Sequence, residues 1–172
     1  MFNYVTKFID AFRYKGDLDE VVEEILPFAK RVVIAGNGGS FANGLHFAQD
    51  LIKACGIDAI VLGENTAMLT AYANDISYED SFVEMYDAIK QPGDVLFLIS
   101  TSGTSRNIVK LVDYATDNNI ISIGLTGVDD NYLYEQADFY IPANSKDIRI
   151  IESAHSLILH YIIDKLSNGK SG

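Results

Sequence analysis

The feature that most constrains this chain is the alternation of short apolar runs with segments of helical periodicity. The strongest run, Asp94–Ser100, reads D-V-L-F-L-I-S and is apolar at every interior position. A strand that is apolar on both faces belongs in a parallel sheet with helices covering both sides. The pattern therefore predicts an α/β domain with three layers, α/β/α, around a parallel sheet of about five strands. We expect those strands at residues 31–35, 59–62, 94–100, 120–125 and 138–142.

Helical spacing fills the segments between these runs. In the first helix after a strand we expect an inward face formed by Phe41, Leu45, Ala48 and Ile52. Other helices are expected at residues 66–73, 78–89 and 148–166, and one follows residue 105 with Ile108, Leu111, Val112 and Ala115 on its inward face. No repeat or linker divides the chain, so we predict one domain over residues 1–172, with an N-terminal helical segment 1–30, a core 31–166 and a frayed tail 167–172.

Charge and composition exclude several function classes. The 172 residues include 24 acidic and 13 basic side chains, a formal net charge of −11. Nonspecific nucleic-acid binding and anionic membranes both require a basic face, so neither is an expected partner. No apolar run approaches the ~20 residues that span a bilayer, and no targeting signal is visible, so we expect a cytoplasmic protein. Cys55 is the only cysteine, which excludes an intrachain disulfide.

Two loops between a strand and a helix have unusual compositions. The first, Gly36–Ser40, reads G-N-G-G-S and is called the glycine loop below. Its glycines allow close backbone approach to a ligand, and the following helix directs N–H groups at the same place. A tight structural turn would explain the glycines equally well. The spacing matches neither the dinucleotide fingerprint nor the Walker loop, and no nucleotide cofactor is expected.

The second loop, Ser100–Ser105, reads S-T-S-G-T-S and is called the hydroxyl loop below. Five hydroxyls in six residues exceed what a helix N-cap requires, since one Ser or Thr suffices there. Hydroxyls and helix N–H groups together can coordinate phosphate without lysine. The sequence therefore predicts a phosphate site in this loop.

Ionisable side chains recur on two predicted helices. His46 and Asp50 are spaced i, i+4 and share a helix face, where they form either a surface ion pair or a metal or acid–base pair. Glu152 and His160 lie on one polar stripe of the last helix but are ~12 Å apart along an ideal axis. One metal site using both from one chain requires long reaches, and sharing across a subunit interface is the alternative. His155 falls with the apolar stripe and is expected to pack in the core.

The motifs G-N-G-G-S, Ala73-Asn74-Asp75 and S-T-S-G-T-S, in this order, resemble the sugar isomerase (SIS) domain, a flavodoxin-like fold. Within it, the segment from His46 to Leu51 and the last helix are most similar to the phosphoheptose isomerases. This resemblance implies an aldose–ketose isomerase that converts sedoheptulose 7-phosphate to D-glycero-D-manno-heptose 7-phosphate in heptose biosynthesis. It also implies a homotetramer with active sites at subunit interfaces and, in some members, one bound zinc ion per subunit.

The resemblance also assigns residues. Matched by position, the substrate-binding set is Asn37, Gly38, Gly39, Ser40, Asn74, Asp75, Ser100, Thr101, Ser102, Ser105 and Glu152. The metal positions are His46, Asp50, Glu152 and His160, and Asp50 and His160 are the catalytic pair. Asp50 stands where the family has glutamate, and Glu152 where it has glutamine.

Isomerisation through an enediol needs a base, an acid and a phosphate holder. Asp50 is assigned the base and His160 the proton shuttle, in either order, and a zinc ion on His46, Asp50 and His160 is the Lewis-acid alternative. The competing hypothesis is a non-catalytic SIS domain, either a phosphosugar sensor or an oligomeric adaptor of the kind that binds the replication initiator. A flavodoxin-like nucleotide binder fits the architecture but not the hydroxyl loop.

Overall fold

The computed structural model describes Thr6, Ile9 and residues 16–168 of the chain. Five strands form one parallel sheet in the order β2-β1-β3-β4-β5. This confirms the predicted five-stranded parallel sheet. The strands are Arg31–Gly36 (β1), Asp58–Val61 (β2), Asp94–Ser100 (β3), Ile121–Thr126 (β4) and Phe139–Pro142 (β5).

Helices connect the strands and cover both faces of the sheet. Residues 18–28 form a helical segment (α1) that passes from α-helix at Leu18–Glu20 through a π-turn, Val21–Ile25, to a 3₁₀ turn, Leu26–Phe28. The helix after β1 (α2) runs over Gly39–Asp50 and ends in a π-turn, Leu51–Cys55. The remaining helices are Thr66–Asp75 (α3), Ser81–Ile89 (α4), Arg106–Asp117 (α5), Tyr132–Gln136 (α6) and Ile148–Asn168 (α7).

Several predicted boundaries were wrong. The helix expected from residue 78 begins at Ser81, and the short helix α6 was not predicted. Ser167 and Asn168, expected in the frayed tail, continue α7. The rest of that tail, residues 169–172, and most of the predicted N-terminal helical segment before residue 16 lie outside the described residues.

Two apolar clusters, one on each face of the sheet, hold the three layers together. One cluster joins α1, α2 and α7 to one face of the sheet, through strand residues such as Ile34 and Phe97. The other joins α4, α5 and α6 to the opposite face, through strand residues such as Val33 and Leu96. Alternate residues of β1 and β3 thus point into different clusters, which is why these strands read as apolar throughout.

The inward face expected for α2 is confirmed for Ala48, which is buried, and for Phe41, which packs against the core, but it was wrong for Leu45 and Ile52. Leu45 and Ile52 are 39% and 52% exposed, whereas Phe47 and Leu51 are buried. The reason is Gly44, which packs against Ile34: a Cβ at Gly44 would lie 2.9 Å from Cγ2 of that isoleucine. The helix face that carries the glycine lies on the sheet, because it permits the closest approach, and this leaves Leu45 and Ile52 outside the core.

The sheet has one reversal of strand order, beside β1. β2 pairs with one edge of β1 and β3 with the other, so the chain leaves the carboxyl ends of β1 and β3 in different directions. Ligands of such sheets bind in the crevice at this switch point. The glycine loop follows β1 and the hydroxyl loop follows β3, so both lie at this crevice. None of the described helices combines the length and the apolar character needed to cross a membrane.

Candidate active site

The glycine loop is shaped by two different requirements. Gly38 has φ 56°, a left-handed conformation, and a Cβ there would meet nothing within 4 Å, so the backbone angle is what requires glycine. Gly39 opens α2, and a Cβ there would collide with the carboxylate of Glu152. Ser40, the next residue, is buried. At the start of α2, the loop therefore exposes its backbone, and the acidic side chain of Glu152 from α7 packs against it.

Asn37 is held by two side chains from other parts of the chain. Its Nδ2 donates to Oδ1 of Asn107 at 2.9 Å, and Nδ2 of Asn107 donates back to its Oδ1 at 2.9 Å. The hydroxyl of Tyr78 also donates to Oδ1 of Asn37, at 2.7 Å. Asn107 and Tyr78 were not predicted as site residues. The only sequence signal for Asn107 is its place two residues beyond the hydroxyl loop.

The hydroxyl loop is a tight turn in which Ser100 is buried, Thr101 and Ser105 are half-buried, and Ser102 and Thr104 are exposed. Ser100 is buried, and its Oγ accepts from the N–H of Gly103 at 3.1 Å and lies 3.3 Å from Oγ of Ser105. Ser102 is exposed, and its Oγ accepts from the N–H of Thr104 at 3.2 Å. Thr101 is half-buried between them.

The start of α5 adds positive potential to this loop. Ser105 is the N-cap of α5, but its side chain makes no capping hydrogen bond to the helix. The hydroxyl is instead directed at Ser100. The first N–H groups of a helix carry partial positive charge and bind anions well. The loop thus combines helix N–H groups with hydroxyls that can turn toward a ligand.

Asn74 and Asp75 end α3 and stand apart from the two loops. Nδ2 of Asn74 donates to Oδ1 of Asp75 at 2.9 Å, and both residues are exposed. In the described part of the chain no hydrogen bond joins them to either loop. Tyr78, three residues later, is the residue of this segment that reaches the glycine loop.

His46, Asp50 and His160 converge where α2 packs against α7. Nε2 of His46 lies 3.2 Å from Oδ2 of Asp50, and the rings of His46 and His160 are edge to face with centroids 5.0 Å apart. One potential ligand atom from each residue lies within 4.8 Å of the others. A small pocket is lined by these three residues together with Asn43, Phe47, Ser156 and Leu159. We call this group the helix triad.

Glu152 is not part of the helix triad. Its carboxylate packs on Gly39, while Nδ2 of Asn43 donates to its backbone oxygen at 3.0 Å. His160 follows eight residues later, about 12 Å along the helix. Because α2 and α7 are parallel, Glu152 meets the first turn of α2, and His160 meets residues two turns further on. The predicted metal ligands are thus divided between two places.

His155 is a core residue, as its position in the apolar stripe predicted. It is fully buried, and its Nε2 lies 3.0 Å from the backbone oxygen of Thr126 at the end of β4. Its Nδ1 has no hydrogen-bond partner. Burial lowers the pKa of His155 to about 4, so the ring is neutral at pH 7 and donates from Nε2.

The helix triad has the donor set of a zinc or similar divalent site. Two imidazoles and a carboxylate are the ligands of many catalytic zinc ions, with further positions left for water or substrate. The same groups can move protons, since a carboxylate and an imidazole are the commonest general bases and acids. The three residues present therefore fit a metal site and an acid–base site equally well.

Comparison with known proteins agrees with these features. Residues 18–127 match the family described as SIS domain. The chain is 39% identical to phosphoheptose isomerase 2 of Campylobacter jejuni over 137 residues, covering 77% of this chain and 68% of that protein. It is 35% identical to the phosphoheptose isomerase of Clostridium acetobutylicum over 150 residues, covering 84% and 76%. The structure superposes on phosphoheptose isomerase from Neisseria gonorrhoeae with a TM-score of 0.85 and 27% identity, covering 94% and 92%.

Proposed function

Because the chain belongs to the SIS domain family and, within it, to the phosphoheptose isomerases, we propose that it interconverts sedoheptulose 7-phosphate and D-glycero-D-manno-heptose 7-phosphate. It is an aldose–ketose isomerase. The observation that carries the assignment is the presence of two ligand loops at the switch point together with a carboxylate–imidazole cluster on the adjacent helix pair. A binding protein would need only the loops.

The hydroxyl loop is proposed to hold the phosphate. Ser102, Ser105 and Thr101 offer hydroxyl donors, and the start of α5 supplies N–H groups. Buried Ser100 holds the turn through the N–H of Gly103. The glycine loop, with Asn37, Gly38, Gly39 and Ser40, is proposed to bind the sugar hydroxyls, and Glu152 accepts hydrogen bonds from them. Asn74 and Asp75 are proposed to contact the substrate from the end of α3.

The proton transfers are assigned to Asp50 and His160. One carboxylate oxygen of Asp50 faces His46, which leaves the other to remove a proton from C1 of the open-chain ketose. The carbonyl oxygen at C2 takes up a proton from His160, and the enediol forms. Asp50 then returns its proton to C2, while the hydroxyl at C1 gives its proton to His160 and becomes the aldehyde. His46 holds the Asp50 carboxylate in place.

We also propose that His46, Asp50 and His160 hold a zinc ion. Bound there, it supplies Lewis-acid polarisation of the substrate carbonyl. Glu152 is excluded from that ligand set in one chain, since it lies about 12 Å from His160 along α7. The predictions of a cytoplasmic location and of no nucleic-acid partner stay predictions.

A homotetramer with shared sites is proposed for two reasons. First, Asp50 is eleven residues along α2 from Gly39, about 16 Å on an ideal helix, so one chain keeps its triad far from its own loops. Second, the helix surfaces beside the triad expose large apolar residues: Leu45 at 39%, Ile52 at 52% and Leu157 at 46%. A second protomer packed on this face would cover these residues and bring its own loops to the triad.

The test of the proposed function is proton exchange followed by NMR. Zinc-loaded protein is incubated with sedoheptulose 7-phosphate in D₂O, and deuterium is expected at the carbon beside the carbonyl together with a new aldose signal. Glucose 6-phosphate serves as the control substrate. Binding of the heptose phosphate without deuterium incorporation would contradict the isomerase assignment and favour a phosphosugar-binding module.

A further inference from the structure

We infer that Asn107 is a positioning residue that fixes the glycine loop and the hydroxyl loop at the spacing required by a ligand bound to both. The inference rests on the proposed function, in which the phosphate and the sugar occupy different loops. It concerns a residue that lies outside both loop motifs and touches neither predicted part of the ligand.

The side chain of Asn107 is buried and forms hydrogen bonds through both its oxygen and its nitrogen. The residue is 2% exposed and sits in the first turn of α5, directly after the hydroxyl loop. Its Oδ1 accepts from Nδ2 of Asn37 at 2.9 Å and from the N–H of Ile108 at 3.1 Å, while its Nδ2 donates to Asn37 at 2.9 Å. The two amides form a reciprocal pair between segments 70 residues apart in the chain.

Tyr78 completes the pair from a third segment. Its hydroxyl donates to Oδ1 of Asn37 at 2.7 Å, although the tyrosine itself is 50% exposed. An amide oxygen has two lone pairs, so Asn107 and Tyr78 together satisfy Oδ1 of Asn37. One N–H of Asn37 is then left to face a ligand, with the side chain held in one orientation.

The consequence for ligand binding follows from preorganisation. The hydrogen bonds between β1 and β3 set the relative position of the strands, but they end where the loops begin. Beyond the strand ends, the amide pair joins the glycine loop to α5, the helix that follows the hydroxyl loop. A ligand that spans both loops gains affinity from a fixed spacing, because binding does not then have to order the loops. A ligand that binds only one loop gains no affinity from the fixed spacing.

The test uses two ligands of different extent. For Asn107→Ala, the affinity for sedoheptulose 7-phosphate is expected to fall about tenfold, since a buried amide partner is lost. The affinity for inorganic phosphate, which needs only the hydroxyl loop, is expected to stay within about twofold of wild type. Calorimetry with each ligand measures both values.

Two further variants separate positioning from damage to the fold. Asn118→Ala removes an asparagine from the other end of α5, where Nδ2 donates to the backbone oxygen of Tyr114 at 2.8 Å, and it should leave both affinities unchanged. Tyr78→Phe removes one half-exposed hydroxyl and keeps the inference testable if Asn107→Ala does not fold. Tyr78→Phe should lower the affinity for sedoheptulose 7-phosphate about threefold and leave the affinity for inorganic phosphate unchanged.

Equal losses for both ligands in Asn107→Ala and Tyr78→Phe would overturn the inference, because they would indicate local damage to the phosphate site. Unchanged affinity for the heptose phosphate would overturn it too. Failure of the proposed function is a different result: wild-type protein would then bind sedoheptulose 7-phosphate without deuterium incorporation in D₂O, whatever the variants do to the two affinities.

Discussion

The loops at the carboxyl ends of β1 and β3 are held by buried hydrogen bonds, whereas both histidines of the helix triad are exposed. Ser100 and Asn107 are 3% and 2% exposed, but the side chain of His46 is 56% exposed and that of Asp50 is 22% exposed. The loops are thus preorganised by this chain alone. The triad has one contact between an imidazole and a carboxylate and an open side. In the proposed function, the two loops form a binding half that one chain preorganises, and the helix triad forms a chemical half that a metal, a partner or both would complete.

The largest effect should come from removing the carboxylate of the chemical half. Asp50→Asn keeps the size of the side chain but removes the base, so kcat is expected to fall about 10³-fold. The affinity for sedoheptulose 7-phosphate, measured by calorimetry, should stay within about threefold because the loops are untouched. Asp117→Asn on α5 is the matched control. A parallel loss of affinity in Asp50→Asn would break the division between binding and chemistry.

His155 lies on α7, the helix that carries His160 of the triad, and joins it to the end of β4, so its effect should appear in stability. Burial lowers its pKa to about 4 from the ordinary 6.5, so the unfolded chain takes up a proton that the folded chain refuses. This contribution is fully present above pH 6.5 and is lost as the pH falls toward 4. Between pH 7.5 and 5 it should remove about 2 kcal/mol from the free energy of unfolding.

The variant His155→Gln isolates this contribution, because glutamine can still donate to the oxygen of Thr126 and does not titrate. Urea unfolding at the two pH values measures the change. Other groups titrate in the wild type and in the variant alike. The difference between the two proteins in the slope of unfolding free energy against pH is therefore due to His155. Identical slopes would show that protonation of this histidine is not coupled to folding.

Substitutions in the hydroxyl loop, which belongs to the binding half, should raise KM more than they lower kcat. Ser102→Ala and Ser105→Ala each remove a hydroxyl proposed to donate to phosphate, and hydrogen bonds to charged groups are worth enough to raise KM about tenfold. Turnover at saturation should change less than about threefold, since these hydroxyls do not touch the reacting carbons. Ser153→Ala, on the exposed side of α7, serves as the control. A fall in kcat with unchanged KM would place these hydroxyls in the chemical half.

The smallest effect is expected for Glu152→Gln. The carboxylate of Glu152 packs on Gly39 at the start of α2 and repels an anionic substrate. Glutamine keeps an acceptor oxygen for the sugar hydroxyls but carries no charge, so Glu152→Gln should lower KM about twofold at low salt. The gain should disappear at high ionic strength because salt screens the repulsion. A large loss of activity would instead mean that the charge of Glu152 takes part in the reaction.

Most of the correct predictions from the sequence came from patterns of residues that are close together in the chain. The five strands and both loops were readable because apolar runs, glycines and hydroxyls are contiguous in the chain. The prediction for α2 was wrong at Leu45 and Ile52 because Gly44 brings a different part of the helix surface closest to β1. Asn107 and Tyr78 were missed because their partner, Asn37, is 70 and 41 residues away. Only the folded chain brings such polar residues together.

The most direct test of the divided site is to mix two inactive variants. Asp50→Asn retains the loops, and Ser102→Asp retains the triad but repels phosphate from the exposed hydroxyl loop. After the two proteins are denatured, mixed in equal amounts and refolded, sites shared between protomers should recover about one quarter of the wild-type rate, because random assembly pairs an intact loop with a neighbour's intact triad that often. If each chain contains its whole active site, the mixture will remain inactive, and the claim that a partner completes the chemical half will be contradicted.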